Sequence, residues 1–137
     1  MIERLLSSEE ILFDSTVRTK LLGEPGLYTI YVRETAEHLR AGRADSAAGI
    51  RQRVYTGHFM GSSFSTPEAP DSLRGNLVRS GICPSLEEAK SWMRDNCAVR
   101  ALVVGDFNER RWGEHFMLSV LRPRFGETRG SRPQRRS

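Results

Sequence analysis

The chain has 137 residues, 38% hydrophobic and 28% charged, which suits one globular domain with a modest core. No apolar run approaches the length that spans a bilayer, and the opening Met1-Ile-Glu-Arg is no signal peptide, so the expectation is a cytoplasmic protein with no membrane partner. The net charge of +4 is uneven: residues 122–137 carry +5, which leaves −1 for the rest. That Gly/Pro/Ser/Arg stretch cannot bury a core, so residues 127–137 read as a disordered Arg-rich tail. Such a tail suits a phosphate backbone or serves only solubility. Cys83 and Cys97 lack metal-type spacing and read as a reduced pair.

Residues 1–23 form an N-terminal arm in which Ser8-Glu-Glu-Ile-Leu-Phe13 predicts a short helix or a packing segment. The densest run of β-formers follows, Glu24-Pro-Gly-Leu-Tyr-Thr-Ile-Tyr-Val32. Nearly every residue there has a claim to burial, so it predicts a central strand covered on both faces. Tyr28 brings a phenol into that strand, and a buried phenol needs a partner for its hydroxyl. Residues 34–40 have helical composition, and 41–49 read as a loop. Arg51-Gln-Arg-Val-Tyr-Thr-Gly57 predicts a second strand, antiparallel to the first. A breaker-rich loop spans Gly61–Pro70. A short helix covers 71–80, with Asp71 at its start and Gly81 at its end. Ser85 and Glu88 make a capping box for a helix running to about Asp95. Cys97–Val104 predicts a third strand. Asn108 then caps a helix from Glu109 to about Leu121, with Trp112, Phe116, Met117, Val120 and Leu121 as its inner stripe. The expected architecture is α+β, a small three-stranded, mostly antiparallel sheet flanked by helices.

Four places stand out chemically. Glu114 lies beside the apolar stripe of the last helix; it pairs with Arg110 or Arg111 at the surface, or it holds a hard cation. Arg74, with Arg79 behind it, is a surface arginine or a phosphate clamp. In Tyr55-Thr-Gly57 the glycine marks a bulge or lets a phosphate approach. His58 faces water or acts as a base near neutral pH.

In order, these pieces resemble the GIY-YIG nuclease family. The first motif appears as Gly26-Leu27-Tyr28 and the second as Tyr55-Thr56-Gly57. Arg74 matches the helical arginine in Ser-Leu-Arg-Gly-Asn-Leu, and Glu114 the metal-binding glutamate in Trp-Gly-Glu-His-Phe-Met-Leu. Leu121-Arg-Pro-Arg-Phe-Gly126 resembles the family's Leu-Lys-Pro-x-x-Asn ending, with glycine where asparagine is common. The resemblance covers residues 24–126. Its two tyrosine motifs stand further apart than the family's tight hairpin, and Arg74 lies further from Gly57 than in compact members.

What the resemblance implies is a metal-dependent DNA endonuclease. Glu114 would hold Mg²⁺ or Mn²⁺, Arg74 would stabilise the transition state, and Tyr28, Tyr55 and His58 would activate water. Arg51, Arg53, Arg79 and Arg100 would meet DNA phosphates. Restriction-type members often dimerise, so a homodimer fits. The alternatives are a nucleic-acid-binding module of the same fold without catalysis, and a small interaction domain with a basic tail.

Overall fold

The computed structural model describes residues 1–60 and 72–125. The elements in chain order are α1 (Ile2–Leu6), β1 (Ile11–Leu12), α2 (Val17–Lys20), β2 (Gly26–Val32) and β3 (His38–Ala44). There follow α3 (Gly49–Arg51), which runs on as a π-helix over Gln52–Phe59, α4 (Leu73–Arg79), α5 (Leu86–Asn96), β4 (Cys97–Val103) and α6 (Phe107–Leu121). The fold is α+β, with an antiparallel sheet flanked by helices. The sheet has four strands rather than the expected three, in the order β1-β4-β2-β3. The extra strand is β1: the N-terminal arm pairs Ile11 and Leu12 with Val99 and Ala98.

β2 is the central strand that its composition predicts, buried from Gly26 through Tyr31 and paired on both edges. Its register explains Gly26, where a Cβ would lie 2.2 Å from the Leu102 carbonyl oxygen of β4. Side chains alternate across the sheet. Tyr28 and Ile30 enter the larger core beneath the helices from α3 to α5, together with Leu39, Ile50, Val54, Leu73, Leu77 and Met93. Leu27 enters a smaller core on the other face, with Leu5 of α1, Ala41 and Met117 of α6.

The second strand is not Arg51–Gly57. It is β3, built from residues expected to be helix and loop. A turn at 33–37, in which Val32 N–H donates to Glu37 O (2.8 Å) and Ala36 adopts φ 62°, folds His38–Ala44 back along β2. The ladder with β2 overrides the weak strand propensity of Arg40, Ala41 and Gly42. Small size is what the register demands at Gly42, which faces Tyr28 at a distance where an added Cβ would lie 3.0 Å from the phenol oxygen.

Arg51–Gly57 is helical because its buried positions Ile50, Val54 and His58 recur every four residues. The helix enters through Gly49, whose φ of +68° and contact with Glu24 (2.2 Å from an added Cβ) leave room for glycine alone. Gly57, expected to be a motif glycine, has no such constraint: an added Cβ would meet Gln52 O at an ordinary 3.6 Å.

Ser72 caps α4 by accepting from Gly75 N–H (2.9 Å); Asp71 and Gly61–Pro70 lie outside the described residues, as does the tail from Gly126. Ser85 caps α5 as expected, and Asp106 rather than Asn108 caps α6. Of the predicted inner stripe of α6, Met117 is buried and Leu121 packs against the smaller core, whereas Trp112, Phe116 and Val120 are turned outward, 74%, 56% and 49% exposed. Its inward positions are Arg110, Glu114 and Met117. Arg110 sets this rotation. Its Nη1 donates to the carbonyls of Val104 (2.9 Å) and Gly105 (3.0 Å), and its Nε to Asp45 (2.9 Å). Cys83 and Cys97 are free and buried. Among the described residues no helix is long and apolar enough to cross a membrane.

The two glycines predict opposite outcomes. Gly26→Ala should cost about 3 kcal/mol or more, because backbone has to move. Gly57→Ala should be neutral or stabilise by up to about 1 kcal/mol through helix propensity. Urea unfolding of both variants measures this, and a Gly57→Ala as damaging as Gly26→Ala contradicts the helical assignment.

Candidate active site

Two of the predicted site residues meet. Tyr28 is fully buried, and its hydroxyl lies 2.8 Å from Nε2 of His58, which is 4% exposed. The other ring nitrogen accepts the backbone N–H of Leu73 at 3.0 Å. That amide is one of the orphan donors at the start of α4, so the imidazole serves as a cap for the helix. A backbone N–H can only donate, so Nδ1 carries no proton. The neutral ring then holds its hydrogen on Nε2 and gives it to the phenol oxygen.

The surroundings keep His58 neutral. Burial, first, and then the charges of Arg40 and Arg53 hold its pKa well below the usual histidine value. In this tautomer one nitrogen accepts from an amide and the other carries the hydrogen, which does not suit the expected role of His58 as a base. Its role is to position Tyr28 and to bond to the oxygen of its hydroxyl.

The remaining predicted residues do not join this pair. Tyr55 lies on the π-helix with its ring 6.1 Å from that of Phe59, lining a cavity with Phe13 and Lys90; no hydrogen bond joins it to Tyr28. Arg74 is buried and committed to backbone. Its Nε donates to Leu86 O (2.7 Å), its Nη1 to Met60 O (3.1 Å), and its Nη2 lies 3.5 Å from Glu87. It ties α4 to the start of α5 and to the end of the π-helix. Arg51 donates from Nε to Leu21 O at 2.9 Å, and Arg100 donates to Ser8 O and lies over the Tyr31 ring. Arg53 and Arg79 are exposed.

Glu114 lies across the sheet from Tyr28. It is 7% exposed on the inner face of α6, 3.6 Å from Nε of Arg43. Arg43 also meets Asp45 at 3.0 Å, and Asp45 meets Arg110 at 2.9 Å. The partner of Glu114 is not Arg110 or Arg111 of α6 but Arg43 on β3, in the register position opposite Leu27. A metal held by Glu114 and touching the same phosphate as Tyr28 does not fit this arrangement: a guanidinium already sits at the carboxylate, and the sheet lies between. Among the described residues no three of His, Cys, Asp and Glu gather as a metal-holding group.

Sequence reasoning missed Arg40, which is 1% exposed on β3, donates from Nη1 to Asn76 Oδ1 (2.8 Å) and faces His58 with its charge. An arginine two residues before a glycine on a hairpin strand would have been the signal, had the turn at 33–37 been recognised. Comparison with known protein families, with curated proteins and with solved structures finds no match for this chain.

A histidine whose folded pKa is depressed binds its proton less readily than in the unfolded chain. Stability is therefore full above the unfolded value of about 6.5 and falls as pH drops below it, by up to about 1.4 kcal/mol per pH unit from His58. Burial lowers the pKa of His38 in the same sense, so the difference between variants is the measurement. Denaturation between pH 7.5 and 5.5 should show a smaller slope in His58→Gln than in the wild type. Equal slopes would mean that His58 is protonated in the folded state.

Proposed function

We propose that this chain hydrolyses nucleic-acid phosphodiester bonds, with a reaction centre of the GIY-YIG type built on Tyr28. The observation that carries the reading is the buried Tyr28–His58 hydrogen bond beside the charges of Arg40 and Arg53. The β2–β3 hairpin also supports it. In this reading Leu39-Arg40-Ala41-Gly42 of β3, joined to β2 by a short turn, would correspond to the second strand of the family's hairpin. On that correspondence the two motifs would lie close together, with Arg40 rather than Tyr55 in the place of the second tyrosine.

A free phenol has a pKa of about 10, too high for a base at neutral pH. Cations and a hydrogen bond donated to its oxygen both favour the phenolate. Arg40, Arg53 and the Nε2–H of His58 supply them. With its own proton lost to solvent, the Tyr28 phenolate takes a proton from the water that adds to phosphorus, and the P–O bond to the leaving strand end breaks as that oxygen takes a proton from solvent water. Arg53, exposed beside this centre, meets the phosphate charge. The resemblance implies Mg²⁺ or Mn²⁺ as cofactor, for which Glu114, with Arg43 at its carboxylate on the other side of the sheet, does not fit as ligand.

A second reading, a nucleic-acid-binding module without catalysis, is favoured by the full burial of Tyr28 and by the position of Glu114. Plasmid nicking with Mg²⁺ and with chelator decides between them. The wild type should nick, and Tyr28→Phe should lose about 10²-fold or more. Glu114→Gln should lower the melting temperature yet keep the metal dependence of the wild type. A wild type that binds DNA without nicking it establishes the second reading, and nicking by Tyr28→Phe at the wild-type rate removes Tyr28 from the chemistry.

A further inference from the structure

A cavity of ≈ 570 Å³ opens on the outer side of the helix that bears His58, between α2, the π-helix and α5. Its floor is aromatic. Phe13 and Phe59 stack with centroids 4.9 Å apart, and Tyr55 lies tilted against Phe59. Its walls are cationic, with Arg18 on α2 facing Lys90 and Arg94 one turn apart on α5. Among the described residues none of these three cations has an ion pair. The one acid at the rim, Asp14, has its Oδ1 occupied by the amide and hydroxyl of Thr16.

Lys90 lies over the Phe59 ring at 5.5 Å, and Arg18 and Arg94 are exposed with no acid on them among the described residues, so the cavity offers aromatic faces flanked by positive charge, which suits a ligand with flat rings and regular negative charge. We propose that this cavity is a single-strand nucleic-acid subsite, in which a base stacks on Tyr55 while the flanking phosphates meet Arg18 on one wall and Lys90 and Arg94 on the other. Duplex bases are stacked on one another and cannot reach the floor, so the occupant is a single strand or an unpaired end. The π-helix joins the two sites: Tyr55 and Phe59 flank His58, the partner of Tyr28. This inference rests on the nucleic-acid substrate of the preceding proposal and adds which form of it the protein holds.

The test is anisotropy titration with labelled oligothymidylate and with a duplex of equal length, in chelator so that nothing is cut. The single strand should bind roughly tenfold more tightly than the duplex, and Tyr55→Ala should weaken it by roughly tenfold. The double variant Lys90→Gln/Arg94→Gln, which changes only side chains at the rim, should reduce the log–log salt slope by about 1.4. Equal affinity for both forms, or wild-type binding by both variants, overturns the subsite. A protein that shows these dependences yet never nicks keeps the subsite and loses the hydrolase; one that nicks while Tyr55→Ala binds normally does the reverse.

Discussion

A phenol buried to zero exposure in the middle of a sheet must find a hydrogen-bond partner within the protein, and for Tyr28 that partner is His58. Much of the larger core follows from this bond. It favours glycine opposite, at Gly42, because an added Cβ would lie only 3.0 Å from the phenol oxygen. It requires the π-helix to bring His58 under the sheet, and α4 to begin where Leu73 N–H can meet the other ring nitrogen. Three elements are thereby locked to one ring, and the Leu73 amide fixes the tautomer that lets Nε2 donate to the phenol.

The opposite face of the sheet follows a different logic. There the central feature is ionic: Glu114 and Asp45 share Arg43, and Arg110 bonds both to Asp45 and to the carbonyls at the end of β4. A buried carboxylate is tolerated because it is paired, and removing one member would leave the others uncompensated. The network also decides which side of α6 faces inward, at the cost of leaving Trp112, Phe116 and Val120 in solvent. Separating the phenol from the acid by a sheet is what divides this chain from a simple reading of its motifs, and it moves attention to Arg40 and Arg53.

How far the sequence could be read depended on how local the deciding physics was. β2 was legible because seven successive residues favour a strand, and the α5 cap because Ser85 and Glu88 are three apart. β3 was not, because arginine, alanine and glycine form that strand only where β2 offers a ladder and Tyr28 leaves no room for anything larger. Arg51–Gly57 looked like a strand from its Val, Tyr and Thr, while its helical period became visible only once Ile50 and His58 were counted with Val54. Tyr28 and His58 each stood out as residue types; that they touch is a fact of tertiary structure, since thirty positions separate them. Glu114 likewise stood out, but its partner on β3 lay in a segment assigned to loop.

The central claim is that His58 is neutral, protonated on Nε2, and donates to Tyr28. Nitrogen-15 chemical shifts of the His58 ring report tautomer and charge directly. The account predicts a protonated Nε2 and an unprotonated Nδ1 at neutral pH, persisting well below the ordinary histidine pKa of about 6.5. An imidazolium at pH 7, or a proton on Nδ1, would contradict it.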